Sequence, residues 1–153
     1  MPSRTVREPV VMVVEDFRDS REMLRLLLEG EGYRIFTAAN GHEALKIAKH
    51  THLDLILTDF GLPDMDGLAL VRQLRKVKGV EMLPIIMLTA IEGDESHTAA
   101  LTAGCSDFLR KPVDIEKLES IMEELLRENI SRGNPRDKVS QIARKGLEKK
   151  HGQ

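Results

Sequence analysis

Apolar positions along this chain alternate between short continuous runs and helical stripes. Val10–Val14 is apolar on both faces, as a strand buried in a covered parallel sheet requires. Asp19 or Ser20 then suits the cap of a helix whose Met23, Leu24, Leu27 and Leu28 lie three and four apart. Gly30 and Gly32 end it, and residues 33–38 form a second strand. Asn40, with Glu43 three positions on, reads as a capping box for a helix that buries Ala44, Leu45 and Ala48. Residues 53–58 form a third strand, and a helix from 67 to 76 turns Leu70, Val71 and Leu74 inward. Pro84 opens a fourth strand over 85–88. A small-residue helix over 94–103 stops at Gly104, which fits the left-handed position past a helix end. Phe108-Leu109 is a short fifth strand. Asp114 caps a last helix carrying Ile115, Leu118, Ile121, Met122 and Leu125. Five strands alternating with five helices through short loops predict an α/β domain with a parallel sheet and right-handed crossovers.

Chemistry collects where strands end. Asp59 follows the third apolar run and precedes a turn-rich stretch, Phe60 to Gly67. Glu15 and Asp16 follow the first run, Thr89 the fourth and Lys111 the fifth. Open α/β sheets bind ligands at the carboxyl ends of their strands. Three acids, a hydroxyl and an ammonium there point to a divalent cation and a phosphoryl group.

The bulk numbers narrow the class. The chain has 153 residues, 41% hydrophobic and 31% charged, which fits one domain with a real core. Aromatics are only 3%, which argues against stacking platforms for single-stranded nucleic acid. The formal net charge of -2 hides an asymmetry. Residues 1–130 hold sixteen basic against twenty-three acidic side chains; residues 131–153 hold seven against two. The expected organisation is therefore an N-terminal extension over 1–8, a globule over 9–130 and a basic tail over 131–153, disordered or helical. A single cysteine, Cys105, excludes an internal disulfide. The N-terminus lacks the apolar core of a signal peptide, and no run nears the roughly 18 apolar residues of a membrane span. A cytoplasmic protein with no membrane partner is expected.

The strand-end residues sit in motifs that resemble a known family. Val13-Val14-Glu15-Asp16, Thr58-Asp59, Leu62-Pro63-Asp64-Met65-Asp66-Gly67, Leu88-Thr89-Ala90 and Phe108-Leu109-Arg110-Lys111-Pro112 are similar, in order and spacing, to the receiver domains of two-component response regulators. The resemblance covers about residues 8–130. It implies a doubly wound, flavodoxin-like three-layer sandwich with strand order 2-1-3-4-5, which sets the first and third strands side by side at the switch point. It implies that Asp59 accepts a phosphoryl group from a sensor histidine kinase or a histidine phosphotransfer protein. A Mg2+ or Mn2+ cofactor would be held by Asp16, Asp59 and the Gly61 backbone carbonyl, with Glu15 acting through a water. Thr89 and Lys111 would bind phosphoryl oxygens, and Phe108 would be the switch aromatic. Lys111-Pro112 resembles the family's cis peptide. A downstream protein target and a homodimer through the last two core helices are further family habits. Such a protein is a signalling switch and not a turnover enzyme.

Blander readings stand beside these. Asp64 and Asp66 lack the spacing of a calcium loop, since Leu62 precedes Asp64 by two, and read as turn residues and a cap for the third helix. His50 and His52 read as solvated, Cys105 as packed, and Phe108 has a core alternative. A haloacid-dehalogenase-type phosphatase also uses an aspartyl nucleophile after a strand, but needs a second Asp two residues on, where Gly61 stands. A scaffold independent of phosphorylation and a DNA-associated regulator using the tail are the remaining alternatives. The absence of a DNA-binding motif argues against base reading. Gly61 and Ile91, two residues after Asp59 and two after Thr89, occupy the positions from which side chains position or block an attacking water in the family. Neither can do so, so slow self-dephosphorylation is expected.

Overall fold

The computed structural model describes residues 7–90 and 94–131, with only the backbone of 94–98 and 130–131. The tail beyond Ser131, the first six residues and Ile91 lie outside the described residues. The elements run β1 (Val10–Val14), α1 (Arg18–Gly30), β2 (Arg34–Ala38), α2 (Gly41–His50), β3 (Leu55–Asp59), α3 (Gly67–Leu74), β4 (Ile85–Thr89), α4 (Asp94–Ala103), β5 (Asp107–Arg110) and α5 (Ile115–Ser131). The sheet is parallel, in the order β2-β1-β3-β4-β5. Fold class and strand order are those expected.

Alternation along the strands divides the core in two. Met12, Val14, Ile56, Ile85 and Met87 face the cluster containing Ala44 and Ala48 of α2, Leu70, Val71 and Leu74 of α3, and Ala100 and Ala103 of α4. Val11, Val13, Leu55, Leu57, Ile86 and Leu88 face Leu24 and Leu28 of α1 and Leu118, Met122 and Leu126 of α5. With both faces covered, β3 and β4 are buried at all five positions.

Three local readings change. First, α1 starts at Arg18 with Phe17 at its N-cap and no side-chain cap, ahead of Asp19 and Ser20. Glu15 and Arg21 hold this turn instead: the Phe17 N–H donates to Glu15 Oε2 at 3.1 Å, and Arg21 Nη1 donates to the carbonyls of Glu15 and Asp16 at 2.9 and 3.2 Å. Second, Met23 and Leu27 are exposed, so only part of the predicted stripe is core. Third, Leu45 is only half-buried. Asn40 caps α2 as read, with the Glu43 N–H donating to Asn40 Oδ1 at 2.8 Å; the return bond from Glu43 Oε1 goes to the Ala39 N–H, one residue before the cap, also at 2.8 Å.

Candidate functional site at the strand ends

Each strand of the central trio delivers its last residues to one edge of the sheet. β1 and β3 are neighbours, with Val14 opposite Thr58; β3 and β4 are neighbours, with Asp59 opposite Leu88. Asp59 and Thr89 are therefore the final residues of adjacent strands, and both are buried. Glu15, just past β1, is buried too, and its N–H donates to the Ala38 carbonyl at 3.0 Å. Lys111, just past β5, donates its N–H to the Thr89 carbonyl at 2.7 Å. The Lys111-Pro112 peptide is cis.

The ammonium of Lys111 lies between two carboxylates, 2.9 Å from Asp59 Oδ1 and 3.1 Å from Glu15 Oε1. Asp59 Oδ1 also accepts from the Phe60 N–H at 3.0 Å. Carboxylate oxygens of Glu15, Asp16 and Asp59 come within 4.8 Å of one another, with Asp16 the exposed member. Burial pushes the Glu15 carboxyl above its ordinary value; the Asp59 charge adds to this, while the Phe17 N–H and Lys111 oppose it. Burial pulls Lys111 down, but the hydrogen bond and charge of Asp59, then of Glu15, outweigh it and leave the ammonium above its ordinary value.

The loop after Asp59 is narrow at its foot. Gly67 N–H donates to the Phe60 carbonyl at 2.6 Å, and Gly61 forms an antiparallel bridge with Asp66. A Cβ on Gly61 would meet nothing within 4 Å, so this side of the site is open. Asp66 caps α3 through the Ala69 N–H at 2.7 Å, as read from the sequence. Phe108 is half-buried against the α2–α4 side of the core.

Two anchors were invisible in the sequence. Asp64 holds the first two N–H groups of α2, those of Gly41 and His42, at 2.8 and 2.9 Å. Arg75 spans from the end of α3 to the carbonyls of Gly104, Val80 and Leu83. The bonds from Asp64 to α2 and from Arg75 to Gly104 join distant parts of the chain and leave no local spacing signal.

The carboxyls here give a pH test. Glu15 is easier to protonate in the folded chain than in the unfolded one. Its stabilising contribution is therefore present below the ordinary 4.5 and is lost as pH rises through its higher folded value. Asp64 runs the other way: its contribution is full above 3.8 and is lost as pH falls toward about 2. In urea titrations without divalent cations, Glu15→Gln is expected to gain on the wild type as pH rises above 4.5. Parallel pH profiles for the two proteins would contradict the assignment.

Comparison with known proteins identifies the family. The family profile described as response regulator receiver domain matches residues 11–123. The KDP operon transcriptional regulatory protein KdpE of Escherichia coli is 40% identical over 76% of the chain, which spans 51% of that protein. An uncharacterised 14.6 kDa protein of Leptolyngbya boryana is 36% identical over 79% of the chain, which spans 92% of it. The chain thus spans about half the length of some curated relatives and nearly all of another. A CheY-like response regulator receiver domain from Methanospirillum hungatei superposes with a TM-score of 0.78 at 28% identity, covering 83% of this chain and all of that one. The chemotaxis response regulator CheY4 of Vibrio cholerae gives 0.74 at 30%, covering 78% and 99%. With the match running from the first strand into the last helix, this chain belongs to the response regulator receiver domain family.

Proposed function

We propose that this protein is a phosphoacceptor switch in which Asp59 takes a phosphoryl group from a phosphohistidine on a sensor kinase or phosphotransfer protein. The observation that carries this reading is the Lys111 ammonium set between Glu15 and Asp59 at the carboxyl ends of the strands. Asp59 Oδ1 is engaged by Phe60 and Lys111, which leaves Oδ2 as the attacking oxygen. It forms the new bond to phosphorus as the bond from phosphorus to the histidine nitrogen breaks, and the imidazole departs. Lys111 then turns its charge to the phosphoryl oxygens, as a flexible ammonium allows. Thr89, at the end of the adjacent strand, supplies a hydroxyl donor to them.

Glu15, Asp16 and Asp59 bring carboxylate oxygens together, hard donors that fit Mg2+ or Mn2+. Such an ion supplies the positive charge that offsets repulsion between the carboxylates and the incoming phosphoryl oxygens. Asp16, Asp59 and Gly61 are the direct ligands in this reading, with Glu15 acting through a water. Movement of Thr89 toward the phosphoryl group makes room for Phe108 and alters the α4 and α5 surface that a downstream target or a second copy would read. The chemistry is confined to the protein's own phosphorylation and dephosphorylation. Among the described residues no helix is long and apolar enough to cross a membrane.

The test is intact mass after incubation with acetyl phosphate and magnesium. Wild type is expected to gain one phosphoryl group and Asp59→Asn none. An adduct of equal yield on Asp59→Asn would sink the assignment, and its decay on wild type reads the phosphoryl lifetime.

A further inference from the structure

The loop between β3 and α3 is fastened at its tip as well as at its foot. The tip is Asp64-Met65, and its anchor is the start of α2. Asp64 Oδ1 accepts from Gly41 N–H at 2.8 Å, and Oδ2 accepts from His42 N–H at 2.9 Å. The His42 ring adds a contact from Nδ1 to Oδ2 at 2.5 Å. These are N–H groups that a helix cannot satisfy internally, and a carboxylate suits that end of the helix dipole. The Gly41 N–H above all, then the His42 backbone and ring, hold the Asp64 carboxyl down at about 2, so it stays ionised.

Met65 completes the fastening. A Cβ on Gly41 would come within 2.6 Å of Met65 Sδ, so the missing side chain leaves the room that the Met65 thioether fills against α2. From α3, Gln73 Nε2 reaches Met65 Sδ at 3.9 Å. Gly61, in contrast, is exposed, and its Cβ direction meets nothing within 4 Å. It is held on one side by the Phe60 N–H bond to the Leu88 carbonyl at 2.9 Å and on the other by the bridge to Asp66.

We infer that Asp64 is a positioning residue: by tying the loop tip to the start of α2, it fixes the Gly61 carbonyl beside Asp59 and sets the site's affinity for a divalent cation. The inference rests on the proposed role of that carbonyl as a cation ligand. Coupling of this kind is reciprocal, so cation binding also protects the start of α2.

The experiment uses the full chain as wild type, Asp64→Ala, Asp64→Asn, His42→Ala and Leu45→Ala. Mg2+ affinity is read by calorimetry at a temperature where every variant is folded, and amide hydrogen exchange is read with and without Mg2+. Asp64→Ala is expected to weaken Mg2+ binding about tenfold, the low end for removing a group that orients a ligand. Asp64→Asn keeps one acceptor and falls between. His42→Ala keeps both backbone bonds and stays within about twofold of wild type. Leu45→Ala destabilises α2 from its half-buried side and also stays within about twofold, which separates positioning from stability. In wild type, Mg2+ slows exchange at Gly41 and His42; in Asp64→Ala it does not. An Asp64→Ala affinity equal to wild type, or a loss matched by Leu45→Ala, would overturn the inference. If wild type binds no Mg2+, the proposed function falls, and exchange alone decides the fastening: faster exchange from Gly61 to Gly67 in Asp64→Ala supports it, and unchanged exchange there overturns it.

Discussion

Gly67→Ala is expected to cost about 2–3 kcal/mol of folding stability, the upper range for forcing a methyl into a packed site. The new Cβ would sit 2.8 Å from the Asp59 carbonyl oxygen, 2.9 Å from the Phe60 Cα and 2.9 Å from Met87 Sδ. The thioether can swing aside. The two backbone atoms belong to the end of β3 and the residue after it, and moving them moves the Asp59 carboxylate. Alanine's better helix propensity, worth about 1 kcal/mol over glycine, offsets only part of this. A urea midpoint that falls at constant slope, together with slower phosphorylation, is the predicted pair of results. Gly61→Ala is the control, since its Cβ meets nothing within 4 Å. Equal midpoints for wild type and Gly67→Ala would show that the turn relaxes freely.

Arg75→Ala is expected to cost a similar amount, about 2–3 kcal/mol, because carbonyls lose a charged donor and part of their shielding from water. The guanidinium donates to the Gly104 carbonyl through Nε at 3.0 Å and Nη2 at 2.6 Å, and Nη1 serves Val80 at 2.9 Å and Leu83. It is half-buried, and burial pulls its pKa down from the ordinary arginine value. At this chain length the loss corresponds to a melting shift of roughly 5–10 °C. Arg75→Lys is expected to recover little, since a single ammonium cannot repeat the paired bonds to one carbonyl while reaching the others. A melting curve for Arg75→Ala that overlays wild type would mean that water replaces the guanidinium without loss.

What the sequence disclosed depended on how local the cause was. β1, β3 and β4 were legible because a strand covered on both faces is a continuous apolar run with an abrupt polar end. Those ends also marked Glu15, Asp59 and Thr89. Asn40 and Asp66 were legible as caps because each bonds an N–H three residues on. The stripe on α1 was half misread: Met23 and Leu27 have the right spacing, but the sheet and α5 cover only Leu24 and Leu28. The start of α1 was missed because its turn is held by Glu15 and Arg21 and not by a capping side chain. Asp64 and Arg75 stayed hidden because their partners lie 22 to 29 positions away for Asp64 with α2 and Arg75 with Gly104. Polar side chains at loop positions look alike until the chain is folded.

The contact between Lys111 and Glu15 joins residues 96 positions apart. Ribosomes deliver a chain from its N-terminus, so Glu15 and Asp59 emerge long before the ammonium that lies between them. A chain halted before position 111 carries Asp59 without its counter-ion and without the last helix that covers one face of the sheet. The contact of Lys111 with Glu15 and Asp59 can therefore close only once the chain beyond β5 has been made.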